Sequence, residues 1–206
     1  MKQREYIRSI GTAAALVGLT LGGVLLTSTH GKADDNDNES KIQKGFAIAP
    51  VELDLKGKNR AQVGLGSYLV NAVGGCNDCH SNPPYAAGHD PYNGEPKQFN
   101  KTTYLGGGGA PFGPVFIPRN LTPDKTGRPE GGATFSEFRE ILRTGVDPDK
   151  AHPQTGPFLQ VMPWPVYQSL TDNDLRAIYE YLSAIPCVEG DPGLPNPRPI
   201  GTRCSH

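Results

Sequence analysis

Cys76-Asn77-Asp78-Cys79-His80 is the stretch of this chain whose residue types and spacing carry chemistry. Two thiols three residues apart lie about one helical turn apart, within reach of two vinyl groups on a single porphyrin. The imidazole beside the second thiol then points at the iron from below the ring. At this composition the pattern has on the order of 0.002 chance occurrences in a chain of this length. Three other chemistries use similar residues. A zinc site needs two more ligands at matching spacing, and Cys187 and Cys204 are too far apart in sequence to form a second knuckle. A dithiol redox pair needs a βαβ context that is absent here. A plain disulfide between Cys76 and Cys79 leaves His80 without a role. One covalently attached haem c is the expectation.

A sixth iron ligand follows from scarcity. The chain has two Met. Met1 belongs to the amino-terminal segment, which leaves Met162. It lies in Gln160-Val161-Met162-Pro163-Trp164-Pro165, where two prolines stiffen the backbone just after the thioether. His80 and Met162 as axial pair give a six-coordinate iron with a raised potential, suited to electron transfer. Met162 as a filler of core gaps is the bland alternative. His89 and His152 compete as ligands but lie in polar, Pro- and Gly-rich stretches. An open sixth position is the remaining reading.

These residues must be held by helices and loops. From Arg60 the apolar pattern is helical, with Leu65, Leu69, Ala72 and Val73 on one face and Gly74-Gly75 as the stop. Thr134 with Glu137 makes a capping box ahead of Phe135, Phe138, Ile141 and Leu142, and Gly145 ends that helix. Thr171 with Asp174 opens a third, carrying Leu175, Ile178, Tyr179 and Leu182. Residues 81–132 show no period and read as long loop with short turns or a small hairpin. So long a loop is unusual in a compact domain and makes sense if it wraps a non-protein core. The fold class is all-α, three or more helices with long loops.

The 206 residues include 26 Gly and 20 Pro, and 36% are hydrophobic, enough for one core. A net charge of −1 excludes the basic excess of a nucleic-acid binder. Lys2, Arg4 and Arg8 precede an uncharged run from Ser9 to Thr29, and small residues stand at Gly31 and Ala33. Residues 1–33 therefore read as a secretory signal peptide, with an uncleaved anchor as the alternative. Cleavage takes four basic residues with Glu5 and leaves a more acidic chain. Residues 34–56 read as an acidic, polar linker that is disordered over its first part. The haem domain occupies 57–186, and 187–206 form a Pro-rich tail. Cys187 and Cys204 are an even leftover pair in an exported chain, and a bond between them would stabilise by about 3 kcal/mol. Two unpaired thiols or an intermolecular bridge are the alternatives. Tyr104, Trp164 and Tyr167 are candidate donors to haem propionates, with core packing as the competing role.

The sequence resembles the class I c-type cytochromes, and within them the cytochrome subunits of periplasmic or membrane-bound alcohol and sugar-acid dehydrogenases. The matching residues are Gly66-x-Tyr68-Leu69-Val70 before Cys76–His80, then Phe112-Gly113-Pro114 and Asn120-Leu121-Thr122-Pro123-Asp124. Leu142 to Asp147, Met162-Pro163-Trp164 and Leu170-Thr171-Asp172 through Tyr181-Leu182 complete the match. It runs from about Arg60 to Pro186. Two features depart from the pattern: a single CxxCH where such cytochromes often carry several haem domains, and Gly131-Gly132-Ala133 where an aromatic usually precedes the Phe135 helix.

The resemblance implies a class I fold in which amino- and carboxy-terminal helices cross beside the haem, with Gly66 and Tyr68 meeting Tyr179 or Leu182. It also implies an electron carrier rather than an enzyme. Its partners would be redox proteins: a dehydrogenase as donor, an oxidase or another cytochrome as acceptor. The location is exported, periplasmic, soluble or membrane-associated, with the membrane reached only through an uncleaved anchor. A subunit fixed in a dehydrogenase complex and a haem enzyme or gas-binding protein with a labile sixth ligand are the alternative functions.

Overall fold

The computed structural model describes residues 30–108, 117–147, 157–189 and Cys204, with side chains from Asn36 onward. Among these residues every regular element is helical. β-type pairing is confined to two isolated bridges, Tyr85 with Phe99 and Val146 with Phe158. No helix among them is long and apolar enough to cross a membrane. The run from Ser9 to Thr29, His152 and most of the Pro-rich tail lie outside the described residues.

The first of the described helices, α1 (His30–Ile48), stands where the sequence reading has a disordered linker. Two side-chain pairs one turn apart explain part of the difference: Lys41 with Asp37 at 2.6 Å and Gln43 with Glu39 at 2.9 Å. Packing explains the rest. α1 lies on α2 (Arg60–Tyr68), with Gly45 against the Gly64 carbonyl and Ile42 and Phe46 close over Gly64. The acid-rich composition hid a helix whose contact face is small and lies at its carboxy-terminal end. The segment after it is also part of the domain, since Val51, Leu53 and Leu55 pack on the core and the Asp54 amide donates to the Ala184 carbonyl at 2.8 Å.

Asn59 caps α2 by accepting from the Ala61 and Gln62 amides. At Leu69–Val73 the helix widens into a π-helical turn. That extra residue per turn rotates the face that follows. Val70 and Asn71 turn inward, whereas Ala72 and Val73, expected on the buried face, are exposed, Val73 by 62%.

α2 crosses the last of the described helices, α7 (Asp172–Leu182), at Gly66. A Cβ there would sit 1.9 Å from the Ala177 carbonyl oxygen and 2.7 Å from the Tyr181 Cβ. The crossing implied by the resemblance is present, but Gly66 meets Ala177 and Tyr181. Tyr179 instead lies between Phe135 and Phe138 and donates to the Ala133 carbonyl at 2.9 Å. Gly66→Ala is expected to cost about 3 kcal/mol, the upper part of the usual overpacking range, because backbone stands in the way. Chemical denaturation of the haem-loaded chain measures it, and an unchanged midpoint would refute this packing.

Beneath the crossing lies a polar knot. The Asn71 amide donates to the Ser67 carbonyl at 3.0 Å and to the Tyr181 hydroxyl at 3.1 Å, and the Tyr104 hydroxyl donates to Asn71 Oδ1. Ser67 Oγ donates to the Gly45 carbonyl at 2.7 Å. Tyr104 is therefore a core residue, 1% exposed, rather than a propionate donor. α4 (Pro129–Gly132) is a single turn; α5 (Phe135–Thr144) and α7 both carry their expected capping boxes, and α5 ends at Gly145 in the left-handed conformation, φ 71°. Trp164 lies flat on that glycine, at the start of the short α6 (Trp164–Tyr167). Within residues 81–108 the Tyr85–Phe99 bridge and a 3₁₀ turn at Pro91–Asn93 give the small hairpin-like loop.

Candidate functional site

The CxxCH residues form their own one-turn helix, α3 (Cys76–His80), entered through Gly75 at φ 58°. Only glycine takes that backbone without strain. The two residues between the cysteines anchor the turn. Asn77 is buried, donating to the Pro84 carbonyl at 2.9 Å and accepting from Ser81 Oγ at 2.7 Å. Asp78 accepts from the hydroxyls of Tyr85 and, at 2.9 Å, Tyr92.

Cys76 and Cys79 carry free thiols. Burial pushes the Cys76 thiol up to about 12, and burial, then Asp78, raises Cys79. Both sulfurs are held as neutral thiols in an apolar setting.

His80 is fixed at both ends. Its carbonyl accepts from the Gly107 amide at 2.8 Å, and its Nδ1 lies 2.7 Å from the Arg119 carbonyl oxygen. A carbonyl only accepts, so Nδ1 carries a proton and donates it to this bond. This is the arrangement that orients an imidazole toward a metal.

Both cysteines, His80 and Met162 line one cavity of about 220 Å³. One buried water needs roughly 10–15 Å³, so the space is far larger than a hydration site. Its walls are mostly apolar: Val70, Leu121, Phe138, Ile141, Leu142, Ile178 and Leu182 contribute from α2, α5, α7 and the loops. Met162 is half-buried and packs on the core. The turn that carries it is tied to the CxxCH segment, because the Tyr167 hydroxyl donates to the Gly74 carbonyl at 3.1 Å. Trp164 is absent from the cavity wall; its indole NH donates to the Leu159 carbonyl at 3.2 Å and its ring stacks on Phe158. His89 lies away from the cavity, with Nδ1 3.1 Å from the Pro96 carbonyl oxygen.

Three charged residues in the same wall escaped the sequence reading. Arg119 Nη1 donates to Glu130 Oε1 at 3.0 Å and Nη2 donates to Asp147. Their side chains are 10%, 9% and 1% exposed. Residues 11 and 28 positions apart in loops share no period that would pair them. The only sequence hint is that Arg119 and Asp147 border or end two of the matching stretches.

Cys187 and Cys204 are joined, with S–S 2.02 Å. The chain just after Cys187 lies on the loop that holds His80: Thr122 Oγ1 accepts from the Val188 amide at 3.0 Å, and Asn120 donates to the Val188 carbonyl at 2.8 Å.

The donor set fits a covalently held haem: two neutral thiols one turn apart, an imidazole anchored through Nδ1, a thioether on the same cavity and apolar walls. It does not fit zinc. Cys187 and Cys204 are bonded to each other, and among the described residues no three His, Cys, Asp or Glu side chains gather as a metal site.

Three known proteins resemble the chain. It is 30% identical over 161 residues to the fructose dehydrogenase cytochrome subunit of Gluconobacter japonicus, covering 76% of this chain and 28% of that protein. It is 29% identical over 149 residues to the gluconate 2-dehydrogenase cytochrome c subunit of Pantoea cypripedii, covering 70% and 28%. To a diheme cytochrome c-type protein of Cereibacter sphaeroides it is 33% identical over 126 residues, covering 60% and 36%. The chain thus spans about a third of these curated relatives' length or less. No protein-family profile matches the chain. No solved structure matches it either.

Proposed function

As a homologue of the cytochrome c subunits of fructose and gluconate dehydrogenases, this chain is, we propose, an exported mono-haem c-type cytochrome of class I fold. It passes electrons from a dehydrogenase to a respiratory acceptor. The observation that carries the reading is the joint presence of Cys76, Cys79, His80 and Met162 on one apolar cavity, with His80 Nδ1 committed to the Arg119 carbonyl.

When bound, haem c supplies a reversible one-electron iron couple. Cys76 and Cys79 would hold it through thioethers, and His80 and Met162 would ligate its iron. The Arg119 carbonyl keeps the His80 proton on Nδ1 and makes Nε2 the more basic nitrogen. The apolar wall excludes water and, with a thioether ligand, favours the reduced, less charged iron. One haem is proposed because the 206 residues contain one CxxCH, although one relative is named as diheme.

Export suits the Cys187–Cys204 bond, a chemistry of oxidising compartments. Redox partners of this kind meet through small, transient interfaces. The relatives' names favour a second reading, a cytochrome held permanently within a dehydrogenase complex. Co-purification of the chain with a flavin or quinone dehydrogenase from native membranes would select that reading.

Carbon monoxide tests the site itself. The ferrous protein is expected to take it up sluggishly at neutral pH, because Met162 must first leave. Fast uptake would contradict the carrier and support a haem enzyme or gas-binding protein.

A further inference from the structure

Arg119, Glu130 and Asp147 bring one guanidinium and two carboxylates into the wall of an otherwise mostly apolar cavity. Ionised groups are costly to bury, and well-packed apolar residues of the same volume are often as stable in such a place. Stability alone therefore accounts poorly for the trio. Its placement suggests another role. The Arg119 carbonyl accepts the hydrogen bond from His80 Nδ1, while the guanidinium of the same residue is gripped by two carboxylates from separate segments. Glu130 makes its contact from the left-handed backbone region, φ 53° and ψ 39°, where a residue with a Cβ is strained.

We propose that Glu130 and Asp147 are positioning residues for His80, acting through Arg119, and that their two carboxylate charges hold the haem potential below the value that Met162 and the apolar wall alone would set. The inference rests on the haem reading above. Reduction adds one electron from a reduced partner to ferric iron, with no bond made or broken. A nearby buried negative charge opposes that electron and is screened less than an exposed one. The carboxylates also stop the Arg119 side chain from swinging, which keeps its carbonyl, and so the imidazole plane, in one orientation.

The test is a redox titration of the full haem-loaded chain carrying Glu130→Gln, Glu130→Asp or Asp147→Asn, with optical spectra and paramagnetic NMR of the ferric form. Glu130→Gln and Asp147→Asn are each expected to shift the equilibrium toward the reduced form on the order of tenfold, as a unit charge on a cavity wall does at an effective dielectric constant near 20. Tenfold corresponds to about 59 mV for one electron. Glu130→Asp keeps the charge and is expected to restore the potential most of the way. The haem methyl shifts should move in the neutral variants, reporting a turned imidazole.

Potentials equal to that of the wild type, in variants that keep attached haem and the methionine–iron band, overturn the inference alone. A shift in Glu130→Asp as large as in Glu130→Gln overturns it too, since shape rather than charge would be responsible. If one carboxylate variant fails to take up haem, the other decides by the same measure. Absence of the attached haem or of the methionine band in the wild-type protein would overturn the underlying reading instead.

Discussion

Replacing Met162 by alanine leaves the haem attached, removes the methionine–iron absorption band and lowers the reduction potential. The fall should be on the order of 0.1–0.3 V, within the roughly 0.8 V that axial ligands span. A thioether is a soft, neutral donor that favours ferrous iron; water or a nitrogen in its place favours ferric. The fold should survive. Met162 is only half-buried. Its turn is held independently by the Tyr167–Gly74 and Trp164–Leu159 hydrogen bonds. The variant should also bind carbon monoxide quickly, because the sixth position no longer has to be vacated. Optical spectroscopy and a redox titration read both effects. An unchanged band would exclude Met162 as ligand and send the search to a residue outside the described ones, such as His152.

The second large effect concerns attachment. With both Cys76→Ser and Cys79→Ser, haem retained after denaturing extraction should fall from one per chain to none. Serine keeps the size and polarity of the site but makes no thioether. His80 remains tied to Arg119, so any haem still present would be held by coordination and packing alone. Cys76→Ser by itself should weaken or abolish assembly. Haem that stays with the denatured double variant would contradict the covalent assignment. Little apo protein is expected to persist, because the core closes around the cavity: Val70, Phe138, Leu142 and Leu182 belong to the buried cluster and also line it.

Local signals were readable in this sequence, and signals that depend on distant contacts were not. Thr134 with Glu137 and Thr171 with Asp174 announce α5 and α7 because a capping box is complete within four residues. The CxxCH motif is equally local, and it yields three of the four residues proposed to hold the haem. Met162 followed from scarcity, a property of composition rather than of pattern. The failures have separate physical origins. α1 looked like a linker because its acid-rich sequence has little apolar periodicity, whereas its docking depends on Gly45 and Gly64 allowing two backbones to touch. Ala72 and Val73 were misplaced because helical periodicity assumes 3.6 residues per turn, and the π-helical turn at Leu69–Val73 breaks that phase. Asn71 is buried there for the same reason, together with Tyr104 from a loop more than thirty residues away. The Arg119–Glu130–Asp147 group is the extreme case, since loops without periodicity bring its members together.

The composition also takes on physical sense. A chain with 26 Gly and 20 Pro has few apolar side chains to spare for a conventional interior. Here the walls of one cavity recruit side chains from α2, α5, α7 and the loops, so a macrocycle in that cavity would supply the centre the sequence itself lacks.

The central claim is that this cavity holds one haem through Cys76 and Cys79. Intact-mass spectrometry of the denatured, purified protein, matured in a host that attaches haem c, tests it most directly. The chain should be heavier than its polypeptide by one haem group, with the added mass mapping to the peptide that contains Cys76–His80. A bare polypeptide mass, or an added haem mapping elsewhere, would contradict it.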